Sequence, residues 1–137
     1  MSIEFKGLED VLERIENLAD TSNVEAAIKD ACLLVERAAK QNAKKGKTGD
    51  LRKSITSKVE GLTGEVYTPL EYAPYVEYGT GLFAENGGRT DVPWSYKDEE
   101  GNWHSTSGMQ PQPFMRPALN ENRERILALI KEGLVND

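Results

Sequence analysis

Histidine and cysteine are almost missing from this chain of 137 residues, which has one of each, His104 and Cys32. Any Ser/His/Asp or Cys/His nucleophilic arrangement must therefore pass through His104, which sits in NWHST, far in sequence from Cys32. One imidazole and one thiol at distant positions give no zinc-type ligand spacing, and the acids do not follow the EF-hand pattern. No catalytic residue, metal ligand or cofactor is expected. Cys32 has no partner for an internal disulfide, and its neighbours Ala31, Leu33 and Leu34 predict a buried thiol acting as a small hydrophobe in a reducing compartment.

Long apolar runs are lacking too. No stretch approaches the roughly 18 apolar residues of a membrane span, and MSIEFKGLED has no basic segment leading into an apolar one. A soluble, unexported protein with no membrane partner is expected. Positive charge is also short: 17 Lys and Arg against 23 Asp and Glu leave a net charge of −6. A general nucleic-acid binder needs clustered cations that the chain as a whole does not supply. The stretch GTGLFAENGG is rich in glycine but has no Lys-Ser or Lys-Thr after it, so a flexible loop is expected there and not a phosphate cradle.

The bases that are present gather in one place. Residues 1–39 hold nine acids and four bases, residues 40–58 one acid and seven bases, and residues 59–137 thirteen acids and six bases. A basic island of Lys40, Lys44, Lys45, Lys47, Arg52, Lys53 and Lys58 thus stands between acidic blocks. It reads as a solvated helix end and loop or, more sharply, as a contact for an acidic neighbour such as another copy.

Hydrophobic spacing gives the elements. Phe5, Leu8, Leu12, Ile15 and Ala19 predict a short amphipathic helix within residues 1–19. After the turn DTSN, the stripe Val24, Ile28, Ala31, Val35 and Ala38 predicts a second helix to about Gln41, dense in alanine as suits a central helix approached closely by other elements. KKGKTGD ends it. Leu51, Ile55 and Val59 against Arg52, Ser54, Thr56 and Lys58 read as a strand, and residues 51–68 as an antiparallel hairpin closed by Pro69. Tyr72 to Tyr78 fit one or two helical turns, with Pro74 in the first and Gly79 as the stop.

Residues 79–113 hold six of the twelve glycines and three of the six prolines, which predicts an extended loop. Within it VPWSYKDEEGNWHST predicts a second hairpin, with Trp94 and Tyr96 on one arm and Trp103 on the other. From Pro117, Leu119, Ile126, Ile130 and Leu134 predict a final helix of four to five turns. The whole is one expected domain, 1–137, of α+β class: a small antiparallel sheet packed against a long central helix and a C-terminal helix, with a loop and hairpin insertion.

Three stretches in order, TGDLRKSI (48–55), YAPYVEYGT (72–80) and QPFMRPAL (112–119), with YKDEEGNWHSTSG between the last two, resemble the tail-component family of tailed-bacteriophage morphogenesis proteins. The resemblance spans about residues 20–135. It implies a virion protein of the neck, without catalytic activity, whose copies form a ring where portal meets tail. Other neck, head-closure or tail-tube proteins would be its neighbours and DNA only passing cargo, with assembly in the host cytoplasm. On this reading Gly79 allows a turn, Phe114 anchors the last helix against the core, and Arg116 crosses to a carboxylate or carbonyl. Tyr72, Tyr75, Tyr78, Trp94, Trp103, Phe114 and Arg116, with Lys44, Lys45 and Lys47, form the expected interface set, although about half of the aromatics are expected in the core. Two other readings stand beside it: a prophage-encoded monomeric binding module, and a small hydrolase using His104.

Overall fold

The structure, a computed structural model, describes residues 1–4, 20–43, 49–85 and 87–135. The expected N-terminal amphipathic helix falls on residues outside these, apart from Ser2–Glu4, which form a strand (β1). The chain divides into two compact units, Met1–Pro69 with Phe114–Asp137, and Leu70–Pro113.

The first unit is organised by helix α1, Ser22–Asn42. Its buried side chains, Val24, Ala27, Ile28, Ala31, Cys32, Val35 and Ala39, recur at three and four and so form one stripe. Asp20 Oδ1 accepts hydrogen bonds from the Ser22 amide (2.8 Å) and hydroxyl (2.5 Å) just ahead of the helix, and these bonds hold its carboxyl below the usual range. The Ala43 amide donates to Ala39 O at 2.9 Å and the chain turns extended there.

A strand from Leu51 is not what forms. Asp50–Ser54 is a short helix (α2) entered through Gly49 with φ of 70°, and strand β2 begins at Thr56. Leu51, Ile55 and Val59 are four apart, a spacing that satisfies a helical period and a strand period equally. What ends α2 is local: Ser54 Oγ donates to Leu51 O at 2.6 Å and Ile55 takes extended angles.

β2 (Thr56–Glu60) and β3 (Thr63–Tyr67) form the expected hairpin, and β1 pairs antiparallel on the other side of β3, giving the order β1-β3-β2. Gly64 and Val66 are buried on one face, and on that side Ser57 Oγ donates to Glu36 of α1 at 3.2 Å. The opposite face carries Lys58, 3.3 Å from the Glu65 carboxylate and over the Tyr67 ring at 5.5 Å. Alternation along the strands therefore sets one face against α1 and leaves the other polar.

The C-terminal region is two helices, α4 (Met115–Asn120) and α5 (Arg123–Val135), rather than one. At the break the Asn122 amide side chain donates to Ala118 O at 2.8 Å, a bond that competes with the helical ladder. Ile126, Ile130 and Leu134 are buried as their spacing predicts, and α5 packs along α1. Gly133 makes that approach possible: a Cβ there would lie 2.9 Å from Asn23 O and 3.1 Å from Ala27 Cβ. α1 thus touches both the sheet and the C-terminal helices, so the chain is an α+β fold around a long central helix.

The second unit begins with α3, Ala73–Tyr78, with Pro74 in its first turn and Gly79 (φ 83°) closing it. At Gly79 any Cβ would stand 2.9 Å from both Met109 O and Phe83 O. A single turn of 3₁₀ helix follows at Gly81–Phe83, then β4 (Trp94–Lys97) and β5 (Trp103–Thr106) as an antiparallel hairpin. The stretch expected as an extended loop is tied by its backbone. Thr80 and Met109 exchange amide bonds at 2.9 and 3.3 Å, Leu82 N–H donates to Ser107 O at 3.0 Å, and Gln112 N–H donates to Val76 O at 2.7 Å.

Candidate functional site

Register decides where the hairpin aromatics point. Trp94 faces Thr106, Tyr96 faces His104 and Lys97 faces Trp103, so strand alternation puts Trp94, Tyr96 and His104 on one face and Lys97 and Trp103 on the other. On the first face the Tyr96 and His104 rings stack at 5.3 Å, and the Arg89 guanidinium lies 4.8 Å from the Trp94 ring centre. Arg89 also grips Asp91 through two bonds of 2.9 and 3.1 Å. On the second face Lys97 Nζ stands 5.9 Å from the Trp103 ring centre, and the Trp103 residue remains 69% exposed.

Asp98 builds the hairpin tip. One carboxylate oxygen accepts the amides of Glu100 (3.0 Å) and Asn102 (2.8 Å), and the other is 2.6 Å from His104 Nε2. The bond to His104 and then those amides hold the Asp98 carboxyl below its ordinary range. His104 is thereby engaged in the turn. Ser95 and Ser105, which face each other in the register, belong to the face opposite His104, and Thr106, which shares the His104 face, accepts the Gly108 amide on its hydroxyl at 3.0 Å. Among the described residues no group of three or more His, Cys, Asp or Glu is placed to hold a metal ion. A cavity of about 180 Å³ lined by Asn23, Ala27, Asp30, Leu129, Glu132 and Gly133 is smaller than the roughly 300 Å³ at which small-molecule pockets begin.

The expected interface residues separate into groups. Tyr72, Tyr75 (59%) and Trp103 are exposed, whereas Tyr78, Trp94 and Arg116 are half-buried. Phe114 is fully buried, and its carbonyl accepts from Asn42 Nδ2 at 3.2 Å. It is a core anchor and presents no contact surface, which corrects its place in the interface set. Lys44, Lys45 and Lys47 lie outside the described residues. The rest of the basic island is partly engaged: Lys40 with Glu36 at 3.8 Å, Lys58 with Glu65, and Arg52 Nη2 on Ala43 O at 2.8 Å. Lys53 is exposed on α2.

Leu82 and Phe83 were missed by sequence reasoning. Both are exposed, and with Tyr72, Tyr75, Tyr96 and Trp103 they place six of the eight exposed large hydrophobic residues of the described chain in the Leu70–Pro113 unit. Two adjacent apolar residues inside a glycine-rich stretch were the available signal.

The family described as "Bacteriophage HK97-gp10, putative tail-component" matches residues 6–79, just over half of the chain. The chain belongs to this HK97-gp10-like family. The matched stretch contains α1, the β2–β3 hairpin and α3, hence the first of the three sequence motifs and all of the second but Thr80, and it ends at Gly79 before the β4–β5 hairpin. Searches of curated proteins and of solved structures return no match. Membership in the HK97-gp10-like family makes the chain a structural bacteriophage protein of the tail, with other phage structural proteins as its neighbours. No helix of the described residues is long and apolar enough to cross a membrane.

Proposed function

We propose that the chain joins head and tail of a tailed phage or prophage particle, as a neck or tail-completion component whose copies form a ring around the DNA channel. The observation that carries this reading is the concentration of exposed aromatic and apolar side chains in the Leu70–Pro113 unit, which has seven acids and only two bases. The segment 40–58 is its opposite, with seven bases and one acid. A ring needs a heterologous interface, one surface of each copy meeting an unlike surface of the next, and these two regions are unlike in sign. Tyr72, Tyr75, Tyr78, Trp94, Trp103 and Arg116 are assigned to the contact on one side, and Lys44, Lys45 and Lys47 to the other. Head-closure and tail-tube proteins would be the axial neighbours. The protein would reside in the virion after assembly in the host cytoplasm.

DNA passes through such a ring without being held, and the acidic balance of the chain suits that role. Deleting residues 83–108 in the phage that carries the gene tests the proposal. Untailed heads and free tails are expected by electron microscopy, and normal tailed particles would overturn it. Salt-sensitive duplex binding by the purified protein, lost on changing Lys44, Lys45 and Lys47 to Glu, would place the basic segment on DNA instead.

A further inference from the structure

Among the described residues the two sheets end on strands that no further strand pairs, β1 and β2 on the three-stranded sheet and β4 and β5 on the hairpin. The β4–β5 hairpin has only two strands of four residues, and six of its eight residues are exposed. A lone two-stranded hairpin is marginal in water and gains most from a further strand. The three-stranded sheet ends on β2, and among the described residues no strand pairs with its outer edge. β2 has no proline, and Lys58, the charge that would blunt such an edge, is drawn to Glu65 on β3.

Resting on the ring reading above, we infer that β4 of one copy adds antiparallel to the open edge of β2 in the next copy, with the acidic hairpin tip against Lys53. Charge selects this pairing. The tip residues 98–100 are all acidic, and Glu99 is exposed. β2 is led in by exposed Lys53 from the segment of seven bases and one acid. With the tip at the Lys53 end, β4 runs toward that end and β2 runs away from it, so the two strands are antiparallel, the slightly stronger arrangement. β5 in the same place would run parallel, and β1 offers only three residues. Main-chain bonds between two strand edges are the β-augmentation mode of recognition, and repeated around an axis they join each copy to the next.

The test uses the full chain with Lys53→Cys and Glu99→Cys in separately tagged proteins; fully buried Cys32 does not compete. Under mild oxidation the mixture is expected to yield a disulfide-linked pair carrying both tags. Neither variant alone should link, and the double variant should give a ladder of linked copies. In assembled particles the β2 and β4 amides should exchange hydrogen more slowly than in the free chain. If copies assemble but the two introduced thiols stay unlinked, or link only within one chain, the strand addition is wrong while the ring stands. A single copy per particle, counted by quantitative mass spectrometry, would remove the ring and the strand addition together.

Discussion

His104 Nε2 lies 2.6 Å from the Asp98 carboxylate, across the tip of the hairpin whose two strands Asp98 and His104 flank and enter. The same carboxylate accepts two backbone amides, so the contact fixes the turn before it offers any chemistry. Asp98→Ala is expected to release both the imidazole and the Glu100 and Asn102 amides. Trp103 and Tyr96 resonances should broaden or move toward random-coil positions, with little change in those of α1.

The lowered carboxyl of Asp98 also predicts a pH dependence. A depressed acid adds stability that is full above its unfolded value, about 3.8, and is lost as pH falls through the lower folded value. The Asp98 contribution should therefore keep the hairpin folded down to about pH 4 and be lost as pH falls further. An acid titration followed at the Trp103 side chain checks this, and loss of the signals already at pH 6 would contradict it.

Cys32 gives the opposite sign. Burial, with the Glu36 carboxylate adding to it, pushes its thiol up to about 11 from an ordinary value of 9.0. The neutral thiol is favoured in the fold, so its contribution is full below pH 9 and is lost as pH rises toward 11. Native protein at pH 8 should resist iodoacetamide and react once unfolded in denaturant. Rapid native labelling would mean that α1 opens.

Phe114 and Tyr75 should behave as opposites. Phe114→Ala empties a fully buried site and is expected to cost about 3–5 kcal/mol in denaturant unfolding. Tyr75→Ala, at a residue 59% exposed, should stay within about 0.5 kcal/mol of the parent. If the surface is an assembly surface, the Tyr75 variant folds normally yet incorporates poorly into particles.

Gly133→Ala sets propensity against packing. In a free helix the change would gain about 1 kcal/mol. Here the new methyl meets Asn23 O at 2.9 Å, a backbone atom of α1 with little room to move. Net destabilisation of about 1–3 kcal/mol is expected from overpacking, read as a lower Tm. A raised Tm would show that α5 shifts freely along α1.

Legibility in the sequence followed how local the deciding interaction was. The α1 stripe, the β2–β3 turn and the Pro74–Gly79 bounds of α3 each follow from spacing or turn chemistry within a few residues. The helix at Asp50–Ser54 was hidden because a spacing of four fits two periods, and the break near Asn122 because one side-chain bond interrupts an otherwise continuous apolar face. For the site, the aromatic cluster was visible in composition, but its division was not. Phe114 looks like the other aromatics in sequence and is, among the described ones, the one with no exposed surface.

By itself the sequence determined the α+β class, the central helix, the lack of histidine and cysteine pairs for chemistry, and the uneven placement of charge, because each depends on residue type and local period. Only the tertiary structure decided that Trp94 and Trp103 point to opposite faces, that His104 is bound into a turn, that Phe114 keeps no exposed surface for a contact, and that β2 ends its sheet among the described residues. Those depend on strand register and on contacts between residues far apart in the chain, which one-dimensional spacing does not encode.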